Sequence, residues 1–250
     1  MKHARVAYAG AIHAATEDAG RLRLGSGECL EASEVVWLPP FEPQTVFAVG
    51  LNYADHAQEL AFKPQQEPLI FLKGPGTLAG HRARTRRPKV AFMHYECELA
   101  VVIGRPARQV PRAEAYEYVA GYTVANDYAI RDHLENYYRP NFRAKNWDSA
   151  TLLGPWLVDA ADVPNPMNLK LTTLVNGKVT QQGTTAKMVF DVPFLIEYLS
   201  GFMTLGPGDV ILTGTPEGVV DVQPGDQVLT EVEGVGELLS FIVEDTPSAP

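Results

Sequence analysis

Two glutamates set two residues apart hold the most informative chemistry in this 250-residue chain. In HYECELAVVIG, Glu96 and Glu98 alternate with Tyr95, Cys97, Leu99, Val101 and Ile103. On a β-strand, side chains at i and i+2 share a face and stand about 6.6 Å apart along it. Both carboxylates can therefore converge on one cation, with His94 on the same face. Hard oxygen donors select Mg²⁺ or Mn²⁺ over zinc or copper. A solvated polar face of an antiparallel sheet gives the same alternation, so a third ligand is needed to define a site. Asp127, in YTVANDYAIRD, is the candidate, because three carboxylates with open positions suit such a cation. Its alternative role is to cap a helix that starts there, with Arg131 one turn on as an ion-pair partner.

Three further groups fall into place around that triad. His56 and Glu59 (HAQE) have i,i+3 spacing, which puts both on one helix face. A carboxylate beside an imidazole fixes its tautomer and raises its basicity, as a general base requires. A solvated helix face is the alternative. Lys145, in NFRAKNWDSA, and the loop TGTPEG suggest anion recognition, with Gly214 exposing backbone and Thr215 offering a hydroxyl. The loop lacks the GxxxxGK[ST] pattern, so it does not indicate a nucleotide. The run HRARTRRPK holds five of the 21 basic residues, and no acid occurs across residues 68–95. It reads as a solvated basic loop (82–89), next as a lid over a multiply anionic substrate, and last as an RNA-binding patch.

The elements that must position these residues are mostly strands. RVAYAGAIHA and RLRLGSG flank the turn-forming EDAG, which predicts a hairpin within a small β-rich region, 1–43. Pro39, Pro40 and Pro43 stiffen the connection beyond it. TVFAVGLNY predicts a strand, ADHAQELA a short helix, and the Pro-, Gly- and Arg-rich stretch KPQQEPLIFLKGPGTLAGHRARTRRPKV an irregular connection. PRAEAYEYVAG and AIRDHLENYYR have helical character. DVPFLIEYLSGFM predicts a helix with Asp191 as N-cap and Pro193 in its first turn. The C-terminal part alternates strands with turns at the PGD sites 207–209 and 224–226, and the tail 247–250 is expected to fray. The fold class is α+β and β-dominated, with a catalytic domain over 44–246. Strands do not alternate with long helices, so a doubly wound sheet is excluded.

Composition narrows the class of function. Acidic residues outnumber basic ones by 30 − 21 = 9, a sign that repels phosphate backbones and argues against nucleic acid as the main partner. Two cysteines, Cys29 and Cys97, are too few for a disulfide scaffold and lack zinc-finger spacing. There is no secretory signal pattern and no apolar run near the 20 residues that a membrane span needs. The expectation is a soluble, cytoplasmic protein with no membrane partner.

Taken in order, GLNYADHAQE, PLIFLKGPG, HYECELAVVIG, GYTVANDYAIRD, KNWDSATLLGPWLV, VNGKVTQQGTT and LGPGDVILTGTPEGV resemble the fumarylacetoacetate hydrolase family over roughly residues 46–220. The wording of ENYYRPNFRAKNWDSATLLGPWLVDAADVPNPMNL and VFDVPFLIEYLSGFMTLGPGDVILTGTPEG is similar to one branch, which acts in homoprotocatechuate (4-hydroxyphenylacetate) catabolism. Its members decarboxylate 5-oxopent-3-ene-1,2,5-tricarboxylate and isomerise 2-hydroxyhepta-2,4-dienedioate.

The resemblance implies a mixed β-roll, a homodimer, and Mg²⁺ or Mn²⁺ held by Glu96, Glu98 and Asp127. It further implies His56 and Glu59 as the acid/base dyad and Lys145 as a substrate-contacting, catalytic lysine. Arg131 and Thr215, with Gly214, would lie near a small anionic 2-oxo acid. Asp55 stands near the place of an extra metal carboxylate in larger relatives. Decarboxylation, isomerisation and C–C hydrolysis all pass through an enolate. A hydrolase of acylpyruvate or fumarylpyruvate is therefore the alternative, and a non-catalytic binder using residues 82–89 the distant one.

Overall fold

The computed structural model describes residues 1–53, 66–134 and 141–245. Turn chemistry shapes its beginning. Ala9 and Gly10 both have positive φ, as do Ala19 and Gly20, the two-residue geometry whose twist matches that of a hairpin. β1 (Lys2–Tyr8), β2 (Ala11–Asp18) and β3 (Arg21–Leu24) therefore form an antiparallel meander. RVAYAGAIHA, expected as one strand, is two strands split at that first turn. β4 (Cys29–Leu30) continues the meander, and β5 (Val36–Trp37) pairs with β1.

β1 also pairs with β14 (Thr151–Asp159), so the N-terminal strands extend the main sheet. From β14 the sheet continues through β12 (Val119–Asp127), β11 (Cys97–Ile103), β17 (Val210–Leu212), β6 (Val46–Gly50) and β7 (Leu69–Lys73). The chain leaving β7 forms β8 (Leu78–Ala79), which pairs back onto β14. The sheet thus rolls until its β7 edge approaches β12 and β14. A second sheet has the order β16 (Lys178–Thr184), β15 (Lys170–Val175), β18 (Gln227–Val232), β19 (Gly236–Glu244) and β9 (Ala83–Arg87). β10 (Met93–His94) and β13 (Ala129–Ile130) form a short ladder.

A small apolar cluster around Val6, Leu22 and Trp37 packs the N-terminal strands, and two others hold the rest. The larger lies between the sheets, where Leu99, Val101, Tyr122 and Val124 meet Leu171, Val228, Leu238 and Ile242. The smaller fills the inside of the roll with Val46, Ala48, Phe71, Ala100, Ala125, Leu153 and Leu212. Helix α1 (Phe142–Lys145) is a single turn. Helix α2 (Val192–Phe202) begins as its sequence predicts: Asp191 accepts the Phe194 N–H at 2.9 Å, Pro193 stands in the first turn, and Leu195, Ile196 and Leu199 face the core. The result is the β-dominated α+β class.

Several local expectations change. PRAEAYEYVAG forms a 3-10 helix, Arg112–Tyr118; AIRDHLENYYR opens with β13 and a 3-10 turn, Arg131–His133, and its part from residue 135 on lies outside the described residues. The stretch expected to be irregular supplies β7, β8 and β9 instead. The basic run is an edge strand, not a loop: β9 lies parallel to β19, Arg87 pairs with Asp221 at 3.2 Å, and Arg86 lies 3.7 Å from Asp245. Backbone pairing and nearby acids organise this run, and no described contact ties it to the carboxylate cluster. Among the described residues, no helix is long and apolar enough to cross a membrane.

Candidate functional site

Register, not sequence spacing, assembles the site. Glu98 pairs across the ladder with Ala125, so its side chain shares that face with Ala100 on the inside of the roll. Two pairs further on, the Asp127 N–H donates to the Glu96 carbonyl at 3.0 Å. Asp127, at the end of β12, therefore stands opposite Glu96. Oxygens of Glu96, Glu98 and Asp127 lie within 4.8 Å of one another. The solvated-face alternative fails here, because Glu98 is 1% exposed and Asp127 0%. The helix-cap alternative fails as well, since Asp127 closes a strand.

Two lysines neutralise part of this charge. Lys145, the last residue of α1, donates to Glu96 Oε2 at 2.6 Å and to Asp127 Oδ2 at 2.8 Å. Lys73 donates to Asp127 Oδ1 and to the Lys145 carbonyl. Burial alone would lower the Lys145 pKa, but the Asp127 and Glu96 carboxylates outweigh it and hold the ammonium above its ordinary value. Lys73 shifts the other way, through burial and the neighbouring Lys145 charge, against the pull of Asp127. Burial first, then the charges of Asp127 and Glu96, drives the Glu98 carboxyl well above the usual range. The Gly214 N–H partly offsets this by donating to Glu98 Oε2 at 2.6 Å.

The supporting residues explain the precision. Asn126 Oδ1 accepts the Glu96 N–H at 3.1 Å, while its Nδ2 donates to Thr230 of the second sheet at 3.1 Å. Asn52 grips Phe190 through both amide atoms and donates to the Thr213 carbonyl, at 2.8–2.9 Å. Gly214 has φ +86°, and a Cβ there would stand 2.9 Å from Asn52 Cβ and 3.0 Å from the Val49 carbonyl oxygen. Only glycine can present its amide to Glu98 at that spot.

The structure brings Glu96, Glu98, Asp127, Lys145 and Gly214 together. Thr215 follows Gly214 and is buried, its hydroxyl accepting from Gln181. Arg131 does not pair with Asp127; its guanidinium lies 5.4 Å from the Phe92 ring centroid, and its buried Nε has no partner among the described residues. His56, Glu59 and Asp55 lie outside the described residues. Sequence reasoning missed Lys73, although a signal was present. In LIFLK, alternation puts Lys73 on the Phe71 face, and in the structure Lys73 is buried whereas Leu72 is exposed. It also missed Asn52, Asn126 and Gln181, whose amides carry no motif.

The cluster fits a divalent cation by the chemistry of its donors. Three hard oxygen ligands from three residues crowd together with like-charge repulsion that such a cation would relieve. Among the described residues the three grouped ligands are all carboxylates, with the His94 Nδ1 3.7 Å from Glu96 Oε1 beside them.

The chain belongs to the fumarylacetoacetate hydrolase family. The family profile described as Fumarylacetoacetate (FAA) hydrolase C-terminal matches residues 45–243. It is 62% identical over 200 residues to the 4-hydroxyphenylacetate degradation bifunctional isomerase/decarboxylase of Salmonella dublin, covering 80% of this chain and 47% of that protein. The chain thus spans about half the length of that relative. Among solved structures, a 5-carboxymethyl-2-hydroxymuconate delta-isomerase from Mycobacterium smegmatis is 37% identical, with TM-score 0.86 over 99% of this chain and 100% of that one. The maleylpyruvate hydrolase of Sphingobium sp. SYK-6, in complex with manganese(II) and pyruvate, is 25% identical, with TM-score 0.83 over 98% and 100%.

Proposed function

We propose that this chain decarboxylates and isomerises unsaturated 2-oxo di- or tricarboxylates in 4-hydroxyphenylacetate (homoprotocatechuate) catabolism. The expected substrates are 5-oxopent-3-ene-1,2,5-tricarboxylate and 2-hydroxyhepta-2,4-dienedioate. The observation that carries this reading is the convergence of Glu96, Glu98 and Asp127 around Lys145, in a chain 62% identical over its matched length to an isomerase/decarboxylase. In this reading those three carboxylates hold Mg²⁺ or Mn²⁺. When bound, the cation supplies Lewis-acid stabilisation of the charge that develops on a 2-oxo acid as CO₂ or a proton departs.

The chain's own groups do the rest. The Lys145 ammonium, kept protonated by its carboxylate neighbours, adds electrostatic stabilisation of that charge in a dry site. Lys73 orients Asp127 and the Lys145 backbone. His56, oriented by Glu59, delivers or removes the proton at carbon. Thr215 and Arg131 meet the substrate's carboxylates, and binding of these remote groups aligns the reacting end. Asp55 stands by as a further carboxylate. We assign residues 44–246 to the catalytic domain, 1–43 to a small extension of it and 247–250 to a frayed tail, and place the protein in the cytoplasm as a homodimer.

The test is activity on both substrates with product identification, before and after stripping with EDTA. Activity should vanish on stripping and return with Mg²⁺ or Mn²⁺; full turnover by the stripped protein would overturn the reading. A second reading, C–C hydrolysis of an acylpyruvate or fumarylpyruvate, is favoured by the likeness to the manganese- and pyruvate-bound hydrolase. Two acid fragments in place of CO₂ or a shifted double bond would establish it instead.

A further inference from the structure

Gln181 on β16 is 1% exposed, and every atom of its amide is committed. Its Oε1 accepts from Thr173 Oγ1 at 3.0 Å. Its Nε2 donates to the Pro216 carbonyl at 2.7 Å and to Thr215 Oγ1 at 2.9 Å. A carbonyl can only accept, so the amide atom facing Pro216 must be the nitrogen, which settles the amide's orientation from the network. The same NH₂ group then faces Thr215, whose oxygen must accept. A hydroxyl carries one hydrogen, and that hydrogen remains to be donated elsewhere. Among the described residues nothing accepts it.

The loop is pressed onto β16 closely enough to hold this geometry. A Cβ at Gly183 would stand 2.5 Å from the Pro216 ring, so glycine is what lets the two approach. Thr215 is 3% exposed and directly follows Gly214, whose N–H binds Glu98. Thr215 therefore stands one residue along the loop from the amide that touches the carboxylate cluster.

We infer that Gln181 is a positioning residue that turns the Thr215 hydroxyl hydrogen away from itself and leaves it free to donate to a carboxylate oxygen of the bound substrate. Gln181 touches no substrate; it acts by occupying one acceptor site of Thr215, so that the hydroxyl hydrogen points elsewhere. A carboxylate at this point finds a hydroxyl hydrogen that no described group of the protein has taken. The inference rests on the 2-oxo acid reading above and names the residue pair that recognises the anion.

The experiment measures oxalate binding to the Mn²⁺-loaded protein by isothermal titration calorimetry, with Mn²⁺ affinity determined separately. Gln181→Met removes both amide donors at similar volume and should weaken oxalate binding about ten- to a hundredfold, the value of one hydrogen bond to a charged group. Mn²⁺ affinity should not change. Thr215→Val should lose as much, the double variant should lose no more than either, and Thr215→Ser should keep binding. Gln181→Glu, whose carboxylate would draw the Thr215 hydrogen toward itself, gives a second variant with the same expected loss should Gln181→Met fail to fold. Unchanged oxalate binding in a folded Gln181 variant, additive losses, or a parallel fall in Mn²⁺ affinity would each overturn the inference. If the wild-type protein loaded with Mn²⁺ binds no oxalate, the 2-oxo acid reading itself falls, and this inference with it.

Discussion

On one face of β11, Cys97, Leu99, Val101 and Ile103 pack into the core between the sheets. On the other, Glu98, Ala100 and Val102 face the inside of the roll, where Glu98 meets the charge of Asp127 and Lys145. Both faces are closed to water, with every residue of the strand 3% exposed or less. The apolar face gains from burial at roughly 25 cal/mol per Å² removed from water. The charged face pays a desolvation cost that its ion pairs and hydrogen bonds only offset. One strand thus separates the side chains that stabilise the fold from those proposed to perform chemistry, and a side chain's face matters more than its exposure.

Four measurements can break or sharpen that contrast. The largest effect is expected from Glu98→Gln, which should lower Mn²⁺ affinity by more than about a hundredfold, beyond the loss when only a ligand's supporting contact is removed. Turnover should vanish while the thermal transition persists. Lys73→Met leaves Asp127 with one ammonium instead of two. Breaking a buried pair costs about 3–5 kcal/mol, and because Lys145 still reaches Asp127, chemical denaturation should show the low end of that range. Leu99→Ala, on the opposite face, should cost about 2–5 kcal/mol of stability and leave Mn²⁺ affinity within about twofold, since neighbouring strand residues point their side chains to opposite faces. Loss of metal affinity in Leu99→Ala would mean that the two faces are not separable.

The smallest effect tests dryness directly. Burial pushes the Cys97 thiol above its ordinary range, with Glu98 and Glu231 adding to the rise against the lowering from its hydrogen bonds. A native sample titrated with a thiol reagent at pH 8 should therefore label the half-buried Cys29 and leave Cys97 unlabelled until the protein unfolds, because only the thiolate reacts. Rapid labelling of both would show that water reaches the apolar face.

The triad was legible in one respect and opaque in another. Strand alternation was enough to place Glu96 and Glu98 on one face, because a period of two is a local property of the backbone. Asp127 entered as a residue with two possible roles. Its position opposite Glu96 follows from the register of β11 and β12, set by the intervening 3-10 helix and by the apolar residues that must face the core. The basic run shows the reverse error. Its composition suggests a solvated loop, yet pairing with β19 makes it a strand, because backbone hydrogen bonds can be satisfied there whatever its side chains prefer.

Lys73 and Gln181 mark where local reading ends. Each looks ordinary in sequence and is placed by contacts from distant parts of the chain: Lys73 meets Asp127 across 54 residues, and Gln181 meets Thr215 across 34. Composition, alternation and turn residues by themselves determined a β-dominated α+β protein, a capped helix at Val192–Phe202 and two glutamates on one strand face as candidate metal ligands. Only the rolled sheet decided which charges share one dry space and which amide tells a hydroxyl to donate. The physical reason is that strand and turn preferences act over a few residues, whereas burial and ion pairing act between residues that only the closed fold brings together.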